Sequence, residues 1–295
     1  MEFKDLQVFQ MVAETGNITR AAKELNYVQS NVTSRIQKLE TELNTPLFNR
    51  HNRGMILTPE GKKLLHYSEK ILLLMSETKK VVQSSGTPCG KLEIGSVETV
   101  IKLPVILSAY NKKYENVDLS LESGVTEKLQ EKVLNYQLDG AFVTAAGQHP
   151  SLVHHDVFQE ELVLISDLTL TSLEQLKNKP FLVFSEGCGY RAKLNEWLKD
   201  ERITPMKMME FGTFETILGS VIAGLGITFV PKLSVAHLEE SGLIHCHSIP
   251  DKYSKINTIF IRRKDTYLTP TVKAFIETIE LCKDEIVYPL SIIKY

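Results

Sequence analysis

Between positions 29 and 38 the chain sets amides, hydroxyls and cations (Gln29, Ser30, Asn31, Thr33, Ser34, Arg35 and Lys38) around apolar residues Val32, Ile36, Leu39 and Leu43, which are spaced by four, three and four. That spacing predicts a helix with its apolar stripe turned inward. The outward face then carries Gln29, Asn31 and Thr33 at its beginning. A glutamine or asparagine amide matches the adjacent donor and acceptor on an adenine edge, so these residues suit base reading in a major groove. Arg35 and Lys38, with Arg50 and Arg53 further along, suit phosphate or minor-groove contacts, which hold register without reading it. A merely solvated polar helix face is the competing reading.

Other candidate groups lie behind position 90. Ser96, Glu98, Thr99, Ser123, Thr126, Thr144 and Thr213 sit where short apolar runs give way to helical stretches. Hydroxyls and free backbone N–H groups at such junctions suit a small anion, each hydroxyl serving equally well as a plain N-cap. Glu98 works against an anion and favours a cation or amine. Cys188, three residues before Arg191, is a redox candidate if that cation favours the thiolate, with an inert thiol as the default. His245 and His247 flank Cys246, but on a strand the histidines face one side and the cysteine the other, too few ligands for a metal even with His154 and His155 elsewhere. No metal and no cofactor is expected.

The elements that must position these groups begin with a helix carrying Leu6, Phe9, Val12 and Ala13 and ending at Gly16. Asn17 caps a second helix over 18–25, Asn26-Tyr27 makes a tight break, and the polar helix follows from Val28. Two helices joined by so short a break form a helix-turn-helix. Residues 47–57 read as a hairpin, a wing with Arg53-Gly54 at its tip. Thr58-Pro59 then starts a long helix over 59–83, where Leu64, Tyr67, Ile71, Leu74, Thr78 and Val81 repeat at steps of three and four. This is a coiled-coil seam and predicts a dimer; packing of the helix onto its own domain is the alternative, favoured by Leu65, Leu72, Leu73 and Met75.

A break at 84–90 separates this head from an α/β body over 91–295. Short strands alternate with helices, and the pattern restarts at 181, implying two lobes: about 91–163 with 264–295, and about 164–263. Strands around 243–247 and 258–261 are expected to return to the first lobe, and the apolar tail 286–295 has no place in this scheme.

With 295 residues, 43% hydrophobic and 24% charged, the composition is that of an ordinary folded protein of more than one domain. Apolar runs fall far short of the ~18 residues of a membrane span, and the acidic start Met1-Glu2-Phe3-Lys4-Asp5 does not read as a secretory signal, so a cytoplasmic location is expected. Four scattered cysteines with no CxxC pair are expected to be reduced. The net charge of −2 hides two basic patches: Arg20, Lys23, Arg35 and Lys38 against Glu24, and Arg50, Arg53, Lys62 and Lys63 against Glu60. No GxSxG elbow, phosphate loop or HExxH is present, so no enzyme is expected.

The segments 17–25, 36–40, 47–50 and 57–61, with Gln29 and Arg53 between them, resemble the LysR-type transcriptional regulators. Behind the break, 92–95, 138–141, 223–227 and Val230-Pro231 resemble the effector domain of that family, built like a periplasmic solute-binding protein. The resemblance implies a winged helix-turn-helix, a long dimerisation helix and a two-lobed α/β domain. Its expected partners are double-stranded DNA on an inverted repeat, a second copy or a tetramer, a small-molecule effector, and RNA polymerase, with no membrane. One departure is Val28, where the family has Ser or Thr; Asn26, Ser30 or a water is the substitute cap. A solute-binding or transport component, or a thiol- or metal-responsive regulator using Cys188 or the His245/His247 pair, are the alternatives.

Overall fold

The computed structural model describes residues 1–51, 54–83, 86–144, 147–169, 175 and 178–283. Arg53, the tail 286–295 and, within the long helix, the side chain of Val81 lie outside the described residues. The chain divides into two compact units, Met1–Gln83 and Ser84–Tyr295.

In the first unit, helix α1 (Phe3–Thr15) opens with a capping box between Glu2 and Asp5 and ends at Gly16, whose φ of 63° is left-handed. Asn17 Oδ1 accepts the N–H groups of Thr19 (2.8 Å) and Arg20 (3.1 Å) to start α2 (Ile18–Glu24). Asn26 turns the chain at φ 56°, and α3 (Gln29–Glu42) follows. The start of α3 has no side-chain cap, so Asn26 is the turn residue rather than a substitute for Val28. Leu6, Phe9, Val12, Ala21, Val32, Ile36 and Leu39 close one core. Leu43, expected on that inner face, is 39% exposed because α3 stops at Glu42 and Leu43 is its C-cap.

Strands β1 (Phe48–His51) and β2 (Gly54–Leu57) pair antiparallel as the wing. Glu40 Oε1 accepts the N–H of Leu47 at 2.8 Å and of Phe48 at 3.3 Å, which ties the end of α3 to the base of the hairpin. Helix α4 (Pro59–Gln83) begins where Thr58 Oγ1 accepts the Gly61 N–H at 2.9 Å. Gly61 is required by close approach: a Cβ there would overlap the Leu47 carbonyl. The expected seam divides along α4. Leu64 and Ile71 pack with Leu65 and Leu72 on the core of the head, whereas Tyr67 (62%), Leu74 (45%) and Thr78 are exposed.

The second unit is built on a seven-stranded mixed sheet ordered β10-β6-β11-β5-β3-β4, with β9 also paired to β6. Parallel strands β3 (Gly90–Ser96), β4 (Val117–Ser123) and β5 (Gly140–Thr144) alternate with helices α5 (Leu103–Lys113) and α6 (Thr126–Leu134). Gly140 admits the neighbouring strand, since a Cβ would strike the Phe260 ring. Strand β6 (Leu152–Ser166) pairs through its first part with β11 (Lys255–Arg263) and through its last residues with β9 (Thr228–Pro231) and β10 (His245–Ser248). The second lobe adds β7 (Phe181–Val183), α7 (Gly189–Asp200), β8 (Met208–Glu210), α8 (Phe214–Ile222) and α9 (Lys232–Glu240), with α10 (Asp251–Ser254) leading into β11. Helix α11 (Pro270–Cys282) packs against α5 of the first lobe, Phe275 meeting Tyr110 edge-on at 5.1 Å.

Two features correct the sequence reading. The long strand β6 was not expected, because His154-His155-Asp156 and Glu160-Glu161 interrupt its apolar alternation. Of the two late strands, β11 returns to the first lobe and β10 stays in the second beside the end of β6. Residues 259–261 therefore belong to the first-lobe core with Phe142 and Phe275, not to a second lobe ending at 263, and Leu162 and Val163 belong to the second-lobe core.

Candidate functional site

On the head, Gln29, Ser30, Asn31 and Ser34 of α3 are exposed and Thr33 is half-buried, while Val32, Ile36 and Leu39 are fully buried beneath them. The apolar stripe thus fixes which way the amides point. Thr19 Oγ1 of α2 donates to Gln29 Oε1 at 3.3 Å, and Thr33 Oγ1 donates back to the Gln29 carbonyl at 3.0 Å. The Gln29 amide keeps its two N–H donors and a second lone pair for a base edge. Arg50, on the first strand of the wing, is exposed, as are Arg20 and Lys23.

Two cations assigned to DNA from the sequence are engaged within the head. Arg35 donates to Asp5 Oδ1 at 2.6 Å and to Asn31 Oδ1 at 3.0 Å. Lys38 donates to Glu2 at 2.6 Å and lies 3.4 Å from Asp5. Burial alone would push the Asp5 carboxyl up; the Glu2 N–H, Arg35 and Lys38 outweigh it and hold the pKa below the usual carboxylate value. The local basic surplus read for 18–38 is therefore partly neutralised by Asp5 of α1 and by its N-cap Glu2. Glu2 and Asp5 were missed because they were read only against a signal peptide, although their spacing is that of a capping box.

In the second unit a cavity of about 240 Å³ opens between the lobes. Glu98, Thr99, Ser123 and Cys188, all singled out in the sequence, line it, with Val97, Gly124, Val125 and Gly212 from the same junctions; Lys128, Phe184, Ser185 and Tyr190 complete the wall and were not assigned to a ligand. Lys128 was legible as the third residue of α6, one turn beyond the Ser123 junction. Hydrogen bonds cross from lobe to lobe at the crevice. Glu98 Oε2 accepts the N–H of Phe214, the first residue of α8, at 2.8 Å. Thr99 Oγ1 and the Tyr190 hydroxyl share a hydrogen bond.

The remaining expected contacts lie elsewhere. Ser96 is buried and its hydroxyl donates to the Val97 carbonyl at 2.8 Å. Thr213 is an N-cap, accepting the Thr216 N–H. Thr126 and Thr144 bond to each other, Thr126 Oγ1 donating to the Thr144 carbonyl at 3.0 Å, and line a second cavity of about 520 Å³ with Gln130, Gln148 and Arg191. Both reside at strand-to-helix junctions, as read, but line this second cavity and not the one that Glu98 lines.

Cys188 does not carry the thiolate character its neighbour suggested. Burial pushes its pKa up more than the Arg191 and Tyr190 N–H groups and the Arg191 charge lower it. Arg191 is itself paired with Glu210 at 2.7 Å and Glu186 at 3.6 Å. His247 bonds Ser166 Oγ at 2.9 Å, and its ring stands 6.3 Å from that of His245. Among the described residues no group of three His, Cys, Asp or Glu is placed to hold a metal ion. Glu160 of β6 is 3% exposed; Thr258 Oγ1 donates to its Oε2 at 2.7 Å, and Oε1 has no partner among the described residues. Burial pushes its pKa up to about 7.

Among the described residues no helix is long and apolar enough to cross a membrane. Residues 3–62 match the model for the bacterial regulatory helix-turn-helix protein, lysR family, and residues 85–282 match the LysR substrate binding domain. The chain is 60% identical over 280 residues to the HTH-type transcriptional regulator SoxR of Arthrobacter sp. (strain TE1826), spanning 95% of this chain and 97% of that protein. It is 52% identical over 279 residues to the HTH-type transcriptional regulator CzcR of Bacillus subtilis (strain 168), with 95% and 97% covered. Its fold is similar to that of full-length CbnR solved in complex with its target DNA, with a TM-score of 0.70, 23% identity and 95% and 99% of the two chains covered.

Proposed function

The chain belongs to the LysR family of DNA-binding transcriptional regulators, and from that premise we propose how its own residues divide the work. Gln29, Ser30, Asn31, Thr33 and Ser34 read base edges in the major groove, with Gln29 and Asn31 the residues suited to adenine. Arg50 holds the backbone, and Arg53 is assigned from the sequence to a phosphate or minor-groove contact. Arg35 and Lys38 position α3 on α1 through Asp5 and Glu2 rather than meeting phosphates. The observation that carries this reading is the division of α3 into a fully buried face and an exposed amide face whose Gln29 is held by Thr19.

Tyr67, Leu74, Thr78 and Val81 pair α4 with a second copy, since an exposed tyrosine and leucine one heptad apart are what a dimer seam buries. Two-fold symmetry then places a half-site on each side of an inverted repeat, ~34 Å apart or a multiple of that. The interlobe crevice holds a small effector against Glu98, Thr99 and Ser123. A protein acting in this way works in the cytoplasm beside RNA polymerase, and does no catalysis of its own. Electrophoretic titration of the DNA upstream of its own gene against a scrambled duplex of equal length tests the reading: preference for the upstream DNA supports it, and equal binding of both refutes it.

A further inference from the structure

We propose that the interlobe crevice takes a zwitterion, a small molecule bearing both an ammonium and a carboxylate, with Glu98 reading the ammonium and Lys128 the carboxylate. This rests on the crevice being the effector site. Glu98 and Lys128 are the charged side chains on the cavity wall, they are opposite in sign, and neither is in an ion pair among the described residues. Both side chains are exposed, and a crevice wall that presents one charge of each sign is complementary to a ligand that brings both.

The position of Glu98 argues against a plain carboxylate ligand. Its Oε2 already accepts the first N–H of α8, so the place in the second lobe best suited to an anion is filled by the protein's own carboxylate. That bond also holds the side chain across the crevice, leaving its Oε1 to accept from a ligand. Its negative charge reaches the floor of the cavity, where it adds to burial in raising the Cys188 pKa. A lone carboxylate entering here meets repulsion; a ligand ammonium removes it. A plain amine leaves Lys128 unpaired at the other side. Val97, Val125 and Phe184 supply an apolar wall, and a volume of about 240 Å³ suits a free amino acid or a close relative better than a peptide or nucleotide.

The test is isothermal titration of the full-length protein with each of the twenty standard amino acids. Any that binds is followed by its deaminated acid and its decarboxylated amine. At least one amino acid is expected to bind at least tenfold tighter than both analogues. Glu98→Gln, which can still accept the Phe214 N–H, is expected to lose tenfold for the amino acid and to gain for the deaminated acid. Lys128→Met is expected to lose tenfold for the amino acid and nothing for the amine. Melting curves confirm that both variants are folded. Binding by none of the twenty, or equal binding of the acid with and without its amine, overturns the proposal. The same samples are titrated onto the upstream duplex: selective DNA binding without any amino-acid response removes the zwitterion and leaves the regulatory reading standing, whereas loss of selective DNA binding removes that reading.

Discussion

The guanidinium of Arg35 on α3 donates to the fully buried carboxylate of Asp5 on α1 at 2.6 Å. The ion pair fastens the helix that carries the DNA-facing amides to the first helix of the head. Removing the cation leaves a buried charge with reduced compensation, whereas removing the carboxylate leaves a half-exposed cation that water can serve. Arg35→Ala should therefore destabilise the head more than Asp5→Asn. Complete loss of a buried partner costs ~3–5 kcal/mol; with Arg35 partly exposed and Lys38 close by, about 2 kcal/mol is expected. Urea unfolding followed by helical circular dichroism measures it, and equal effects of the two variants would count against the pair as an anchor.

The same carboxylate sets an acid limit. Because the folded-state pKa of Asp5 is depressed, its contribution is fully present above the ordinary carboxylate value of about 4 and is lost as pH falls below that value toward the folded pKa. The acid-unfolding profile of the head should flatten in Asp5→Asn. An unchanged profile would show that other groups dominate.

Glu160 works in the opposite direction. Its folded pKa of about 7 lies above the ordinary ~4.3, so its contribution is complete below about pH 4 and is lost as pH rises toward and through 7. The charged form is disfavoured by burial, which the hydrogen bond from Thr258 only partly offsets. Glu160→Gln should thus stabilise the second unit at pH 8 by on the order of 3 kcal/mol and leave it unchanged at pH 4. Melting temperature against pH for both proteins gives the answer; parallel curves would contradict the assignment.

The division of α4 separates two kinds of leucine. Leu74→Asp or Tyr67→Asp should shift the protein toward monomer in sedimentation without lowering the stability of the head, because both side chains are exposed. Ile71→Asp should instead unfold the head, since Ile71 packs on its core. A dimer that survives the first two substitutions would place the interface elsewhere.

Much of this architecture was legible before any coordinates. The caps at Asn17 and Thr58, the left-handed Gly16 and the Val32/Ile36/Leu39 stripe are local devices, and local spacing reveals them. What stayed hidden depends on distant partners. Arg35 and Lys38 read as free cations until α1 is folded against α3, and the coiled-coil repeat of α4 could not show that Leu64 and Ile71 turn toward their own head. Strand β6 was masked by charged pairs that a strand joining two lobes tolerates. The crevice residues Glu98, Thr99 and Ser123 follow strand ends and were visible as junctions, with Lys128 one turn beyond the last of them; Tyr190 enters only through the fold, which brings it into the same wall.

The most direct test of the central claim compares Gln29→Ala with Arg50→Ala on the upstream duplex and on a scrambled one, at two salt concentrations with base-resolved footprints. Gln29→Ala should lose about 1–3 kcal/mol on the upstream DNA alone and relax preference at one base pair. Arg50→Ala should weaken both duplexes alike and reduce the salt slope by about 1. Equal losses on both duplexes for Gln29→Ala would contradict base reading by α3.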